Sequence, residues 1–228
     1  MAPPPGFLGV WREDQRARAA YSEGAGIYRI LPSAVAVPST TRDLMWLASW
    51  AHTSRTPLVP RGAGSGMPGH NVGPGVILDL TALDGRPLEV DADRFLATTG
   101  AAVSLGELAE EARKHGLRMP VDPSSARWAT AGGVAATNAA GPTLWSGYGP
   151  VRRWIQALKV VTADGELAEL ERDFVSPPTP PCCAASATPP TPPCGSPAGE
   201  WRRAFPRCAR TPRATPSTPT SRPATSSI

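Results

Sequence analysis

Two stretches of this 228-residue chain carry residue types that could hold a ligand. The first reads Pro60-Arg-Gly-Ala-Gly-Ser-Gly-Met-Pro-Gly-His-Asn71, and six glycines fall between positions 62 and 75. Glycine reaches backbone conformations other residues avoid and has no side chain to block a ligand. A run of such residues can turn several N–H groups towards one point, a nest for a phosphate oxygen. The plain alternative is a flexible surface loop. The second stretch reads Pro120-Val-Asp-Pro-Ser-Ser125, then Ala129-Thr-Ala-Gly-Gly-Val-Ala-Ala-Thr-Asn-Ala-Ala-Gly141, then Tyr148-Gly149. Ser125, Thr130, Thr137 and Asn138 would supply hydrogen bonds there, and Gly132 and Gly133 close backbone approach. Close packing of a helix on a sheet would also select Gly and Ala.

Gly64-Ser-Gly-Met-Pro-Gly69 satisfies the letters of the dinucleotide fingerprint GxGxxG, with Asp84 about 20 residues further on. That fingerprint requires a helix directly after its first glycines, because the helix N-terminus holds the pyrophosphate. Pro68, Gly69, Gly73, Pro74 and Gly75 forbid one.

The elements that would position both stretches are short. A helix is expected about residues 11–20. Ala34-Val-Ala-Val37 reads as a strand closed by Pro38. A helix follows, with N-caps among residues 39–41, Asp43 in its first turn, and Leu44, Leu47, Ala48 and Ala51 at helical spacing. Strands are expected at 56–59 and 76–80, on either side of the first glycine loop. Residues 88–90 and 95–99 read as a hairpin. Ser104 and Glu107 form a capping box for a helix running to about His115 and ended by Gly116. Residues 120–149 read as one long loop. Residues 155–162 and 166–170 pair around Ala163-Asp-Gly165. The order is an α+β pattern without regular strand–helix alternation.

The remaining quarter differs in kind. Residues 174–228 hold 14 of the 28 prolines and all four cysteines, Cys182, Cys183, Cys194 and Cys208. Six arginines against Glu200 give this tail +5, which leaves −1 for residues 1–173. The basic balance of the chain therefore belongs to the tail, and overall charge gives no reason to expect a nucleic-acid partner. The cysteines show no CxxC pair and no neighbouring histidine, so no metal site is expected. No apolar run reaches the roughly 20 residues that span a bilayer. No basic region followed by an apolar stretch marks a signal peptide, and a cytoplasmic location is expected.

Four ordered elements carry a resemblance. They are P-R-G-A-G-S-G from Pro60, D-P-S-S from Asp122, T-A-G-G-V-A-A-T-N-A-A-G from Thr130, and Y-G-P-V-R from Tyr148 leading to Ala163-Asp-Gly165. Together they resemble the FAD-binding domain shared by para-cresol methylhydroxylase, vanillyl-alcohol oxidase, glycolate oxidase and D-lactate dehydrogenase. The D-lactate and glycolate dehydrogenase branch is the most similar, and the resemblance covers about residues 20–172. It implies a two-subdomain α+β FAD-binding domain of that type over 28–173, preceded by an extension at 1–27. It also implies that the first loop wraps the FAD pyrophosphate through Pro60, Arg61, Gly62, Ala63, Gly64, Ser65 and Gly66, mainly by N–H donation. Asp122, Pro123, Ser125, Thr130, Gly132, Gly133 and Asn138, with Thr137 and Gly141 of the same element, would lie along the cofactor. Val161, or its neighbour Val160, would present backbone to the nucleotide.

The departures are few. Ser65 stands where the family more often has Thr. Some relatives attach FAD through a histidine that aligns with Ser65, so FAD is expected to be non-covalent here. His70 is expected to be an exposed loop residue, and His52 and His115 are expected to have no chemical role. The family's catalytic residues belong to a further substrate domain, so none is assigned. The intact enzyme would oxidise a small 2-hydroxy acid such as D-lactate or glycolate, with a general base taking the hydroxyl proton and hydride passing to the flavin. The alternative is an FAD-holding module without turnover, a truncated product or one subunit of a split oxidase. The abrupt composition change near position 174 fits a reading-frame shift, and the tail is expected to be disordered.

Overall fold

The strands at the centre of the chain are apolar on both faces, so they must lie inside. A computed structural model describes residues 3–144 and 147–172, all within one compact unit, Met1–Pro181. The tail and its cysteines lie outside the described residues. The first layer is a four-stranded sheet of β1 (Val10–Arg12), β2 (Ala34–Val37), β3 (Leu58–Arg61) and β4 (Val76–Asp79), in the order β1-β2-β4-β3. β2, β4 and β3 run parallel, with Val35 and Val59 both opposite Ile77, and β1 pairs antiparallel with β2. The buried faces of β2 and β4 account for their unbroken apolar runs.

Between β2 and β3 runs α2 (Thr41–Ser54). Its cap forms as expected: Thr40 Oγ1 accepts from the Asp43 amide, and the Asp43 carboxylate accepts from the Thr40 amide. Leu47, fully buried, fixes the helix on Ala34, Ala36, Val76 and Leu78. α1 (Gln15–Ala20) is shorter than the helix expected at 11–20, because residues 10–12 are extended and add β1 to the sheet.

The remaining strands form two antiparallel hairpins, β5 (Leu88–Asp91) with β6 (Leu96–Thr99), and β7 (Ala157–Val161) with β8 (Leu167–Glu171). α3 (Leu105–Lys114) carries the Ser104–Glu107 capping box, and its Leu105 and Leu108 join Ala129 and Val134 in a second core. The 120–149 stretch is not all loop. It contains α4 (Ala131–Ala136), capped by Thr130. Glycine at 132 and 133 gives this segment poor helix propensity. Bonds from Ala131 N to Val103 O (2.8 Å) and from Gly132 N to Ala101 O (3.0 Å) tie it to neighbouring chain and hold it helical. At the β7–β8 turn Gly165 rests directly on α2, where a side chain would run into Met45 and Ser49.

Candidate functional site

The first glycine loop leaves β3 at the open edge of the first sheet. Its far side is bounded by α4 and the turn before it, and the two enclose a cleft of about 240 Å³. Pro60, Arg61, Gly62, Ala63, Gly64, Ser65 and Gly66 line one wall; Pro123, Ser125, Thr130, Gly132, Gly133 and Thr137 line the other. The walls meet at Gly62, where a Cβ would collide with Thr130 Oγ1. Glycine is therefore required for the gap to exist.

The two walls differ in what they offer. The backbone amides of Gly62, Ala63, Gly64, Ser65 and Gly66 donate to no acceptor among the described residues. Gly64 adopts φ +70°, and its outward face is covered by the Arg61 guanidinium. Of these residues only Gly64 is buried and Ala63 is exposed, so water reaches most of the run; five consecutive donors turned to one cleft nonetheless offer a concentrated site for an acceptor from outside the chain. The amides at the start of α4, on the second wall, are already used: Gly132 bonds Ala101, Gly133 bonds Thr130 Oγ1 (3.3 Å) and Val134 bonds Thr130 O (2.9 Å). Gly132 also lies tight against the Ala101 Cβ, which is the close-packing role that small residues serve.

Arg61 is the single Arg, Lys, Asp or Glu in the lining, so the fixed charge of the cleft is positive. Its guanidinium lies 5.3 Å from the centre of the Tyr21 ring and donates to the carbonyls of Tyr21 (3.3 Å) and Asn71 (3.4 Å). The Tyr21 hydroxyl donates to the Asp79 carboxylate, which also accepts from the Thr81 amide (2.9 Å). Burial, reinforced by the bond to Asp79 and its charge, pushes the Tyr21 phenol up to about 12, against a smaller lowering by Arg61.

Four expected contact residues lie outside the lining. Asn138 takes a left-handed conformation (φ 49°) just beyond α4, and its Oδ1 accepts from the Arg152 amide at 3.2 Å. Gly141 packs on the Asp122 backbone, so closely that a Cβ there would collide with it. Val161 ends β7. Conversely, His70, Asn71 and Leu80 line the cleft, and the exposed His70 ring folds back onto Gly66. Leu80 follows the last residue of β4, opposite the root of the loop, where sequence spacing offered a signal. His70 and Asn71 offered none, since their placement depends on the path of a glycine-rich chain.

A family described as FAD binding domain matches residues 32–171. The chain belongs to that family. Curated relatives include a D-2-hydroxyglutarate dehydrogenase from Xanthomonas citri pv. viticola, 34% identical over 146 residues, and a D-lactate dehydrogenase from Archaeoglobus fulgidus, 36% identical over 135. The aligned regions cover 63% and 58% of this chain and 30% of each relative, so this FAD-binding-domain chain spans about 30% of their length. The glycolate oxidase subunit GlcD of Bacillus subtilis is 28% identical over 158 residues, 68% of this chain and 33% of that protein. Among solved structures, 6-hydroxy-D-nicotine oxidase from Arthrobacter nicotinovorans superposes with a TM-score of 0.63 at 24% identity, covering 75% of this chain and 37% of that one. The fold is the FAD-binding fold of the para-cresol methylhydroxylase and vanillyl-alcohol oxidase type. No helix of the described residues is long and apolar enough to cross a membrane.

Proposed function

We propose that this chain holds FAD without a covalent link, as the cofactor-binding part of an oxidoreductase acting on small 2-hydroxy acids. The observation that carries the reading is the run of five acceptor-free amides, Gly62 through Gly66, on a cleft whose one fixed charge is Arg61. Such a run suits the pyrophosphate of a dinucleotide. The cleft is smaller than the roughly 300–1,000 Å³ of complete ligand pockets, so it suits the pyrophosphate and an adjoining sugar rather than the whole cofactor.

In this reading Pro60 and Arg61 fix the root of the loop, and the amides of Gly62, Ala63, Gly64, Ser65 and Gly66 receive the phosphate oxygens. The Ser65 and Ser125 hydroxyls, which have no partner within the described residues, add donors. Thr130, Gly132, Gly133, Thr137 and Pro123 shape the opposite wall. Asp122, Asn138, Gly141 and Val161 act further from the cleft, through the path of the backbone. The flavin, when bound, supplies the acceptor for hydride. The 2-hydroxy-acid substrate class rests on the relatives named D-lactate and D-2-hydroxyglutarate dehydrogenase. Non-covalent attachment rests on Ser65, which stands where the covalent relatives have histidine.

The test is direct. Purified protein titrated with FAD should acquire visible flavin absorbance that survives gel filtration. Acid or heat precipitation should then leave all of the flavin in the supernatant. Flavin that stays with the precipitate would exclude non-covalent binding, and protein that takes up none would exclude the FAD reading.

A further inference from the structure

The family match begins at residue 32, yet the outer side of the glycine loop is covered by chain that precedes it. Ala25 N donates to the Gly64 carbonyl (3.0 Å). Gly26 sits so tightly on the Met67 carbonyl that a Cβ there would collide with it, and a Cβ on Gly24 would run into the Asn71 carboxamide. That carboxamide, on a residue only 4% exposed, donates to the carbonyls of Gly64 (2.7 Å) and Gly66 (3.1 Å). Tyr21 anchors the start of the segment on Asp79, under the Arg61 guanidinium.

These contacts share one consequence. A carbonyl turned into the cleft would repel a phosphate, and those of Gly64 and Gly66 are engaged by Ala25 and Asn71 instead. The amides between them are left without acceptors. A glycine-rich loop loses much conformational entropy on ordering, and it has few apolar contacts of its own to offset that loss. The outer bonds must do so. We propose that the segment from Tyr21 to Gly26 is a clamp that fixes the glycine loop in its anion-receiving shape before any ligand arrives. Under the FAD reading, on which this consequence rests, cofactor affinity then depends on residues outside the cleft, because preorganisation lowers the ordering cost of binding.

Two substitutions outside the lining test the clamp in the full chain. Gly26→Ala drives a methyl into the Met67 carbonyl. Tyr21→Phe keeps the ring beneath Arg61 and removes only the bond to Asp79. The first readout needs no ligand: the rate of tryptic cleavage after Arg61, compared with cleavage after Arg113 in α3. Local opening of the loop exposes only the first bond, whereas general destabilisation exposes both. The second readout is affinity for FAD and for ADP, which keeps the pyrophosphate and lacks the flavin.

Cleavage after Arg61 should rise about fivefold or more in Gly26→Ala and less in Tyr21→Phe, with cleavage after Arg113 unchanged. Affinities for FAD and ADP should fall together, by about tenfold or more in Gly26→Ala. Unchanged cleavage after Arg61 in both variants overturns the clamp, as does an equal rise after Arg113. Faster cleavage with wild-type affinity overturns it too. If wild-type protein binds neither nucleotide while the cleavage pattern is as expected, the clamp stands and the FAD reading falls.

Discussion

The two walls of the cleft are both built from glycine and small residues, and they use them in opposite ways. On the first wall glycine leaves donors free: the amides of Gly62 through Gly66 have no acceptor in the described chain. On the second wall glycine brings chain close to chain: Gly132 rests on Ala101, and the amides of Gly132 and Gly133 are satisfied internally. Two segments of similar composition thus divide the work, one offering a run of backbone donors and the other, apart from the Ser125 hydroxyl, a packed surface. Small-residue content alone does not distinguish a donor nest from a packing seam. The state of the amides does.

The largest expected effect comes from filling the gap where the walls meet. Gly62→Val places branched carbon where Thr130 Oγ1 now stands and occupies the space in front of the free amides. FAD affinity should fall at least about 100-fold, or about 2.7 kcal/mol. Equilibrium titration by flavin fluorescence measures it. A fall of less than about threefold would mean that the cofactor does not pass between the walls.

Thr130→Ala probes the second wall. It removes the N-cap of α4, whose Oγ1 accepts from Gly133, and should cost about 1 kcal/mol of stability in chemical denaturation. It leaves the backbone amides of the first wall untouched and removes a hydroxyl already engaged as the cap acceptor, so FAD affinity should change by less than about threefold. A tenfold loss of affinity without loss of stability would break the comparison, because the N-cap of α4 would then be a ligand contact rather than a packing element.

How far the sequence foreshadowed this arrangement depends on whether a signal is local. The caps of α2 and α3 are side chain-to-backbone bonds across three residues, so Thr40, Asp43, Ser104 and Glu107 announce them directly. The buried runs of β2 and β4 and the apolar spacing of α2 are equally local. The element that escaped, α4, contains two glycines and is held by carbonyls of Ala101 and Val103, some 30 residues earlier in the chain. β1 escaped because three residues become a strand only by pairing with β2. At the site, the glycine run was visible as a run. That Asn71 ties the Gly64 and Gly66 carbonyls, and that His70 folds over Gly66, follows from loop path and appears in no periodicity.

The smallest effect separates the walls by pH. Tyr21 braces the first wall alone, and burial beside Asp79 raises its phenol from the ordinary 10.0 to about 12. The folded protein therefore holds this proton more tightly than the unfolded chain. The resulting stability is complete below pH 10 and is lost as the pH rises from 10 to about 12. Phenylalanine has no proton to lose, so the difference in melting temperature between wild type and Tyr21→Phe should hold constant up to pH 10 and shrink above it. Thr130→Ala, which leaves Tyr21 intact, should lose stability in parallel with wild type over the same range. A difference for Tyr21→Phe that stays flat to pH 12 would show that the phenol is neither buried nor held by Asp79 in solution, and the first wall would then depend on Ala25 and Asn71 for its shape.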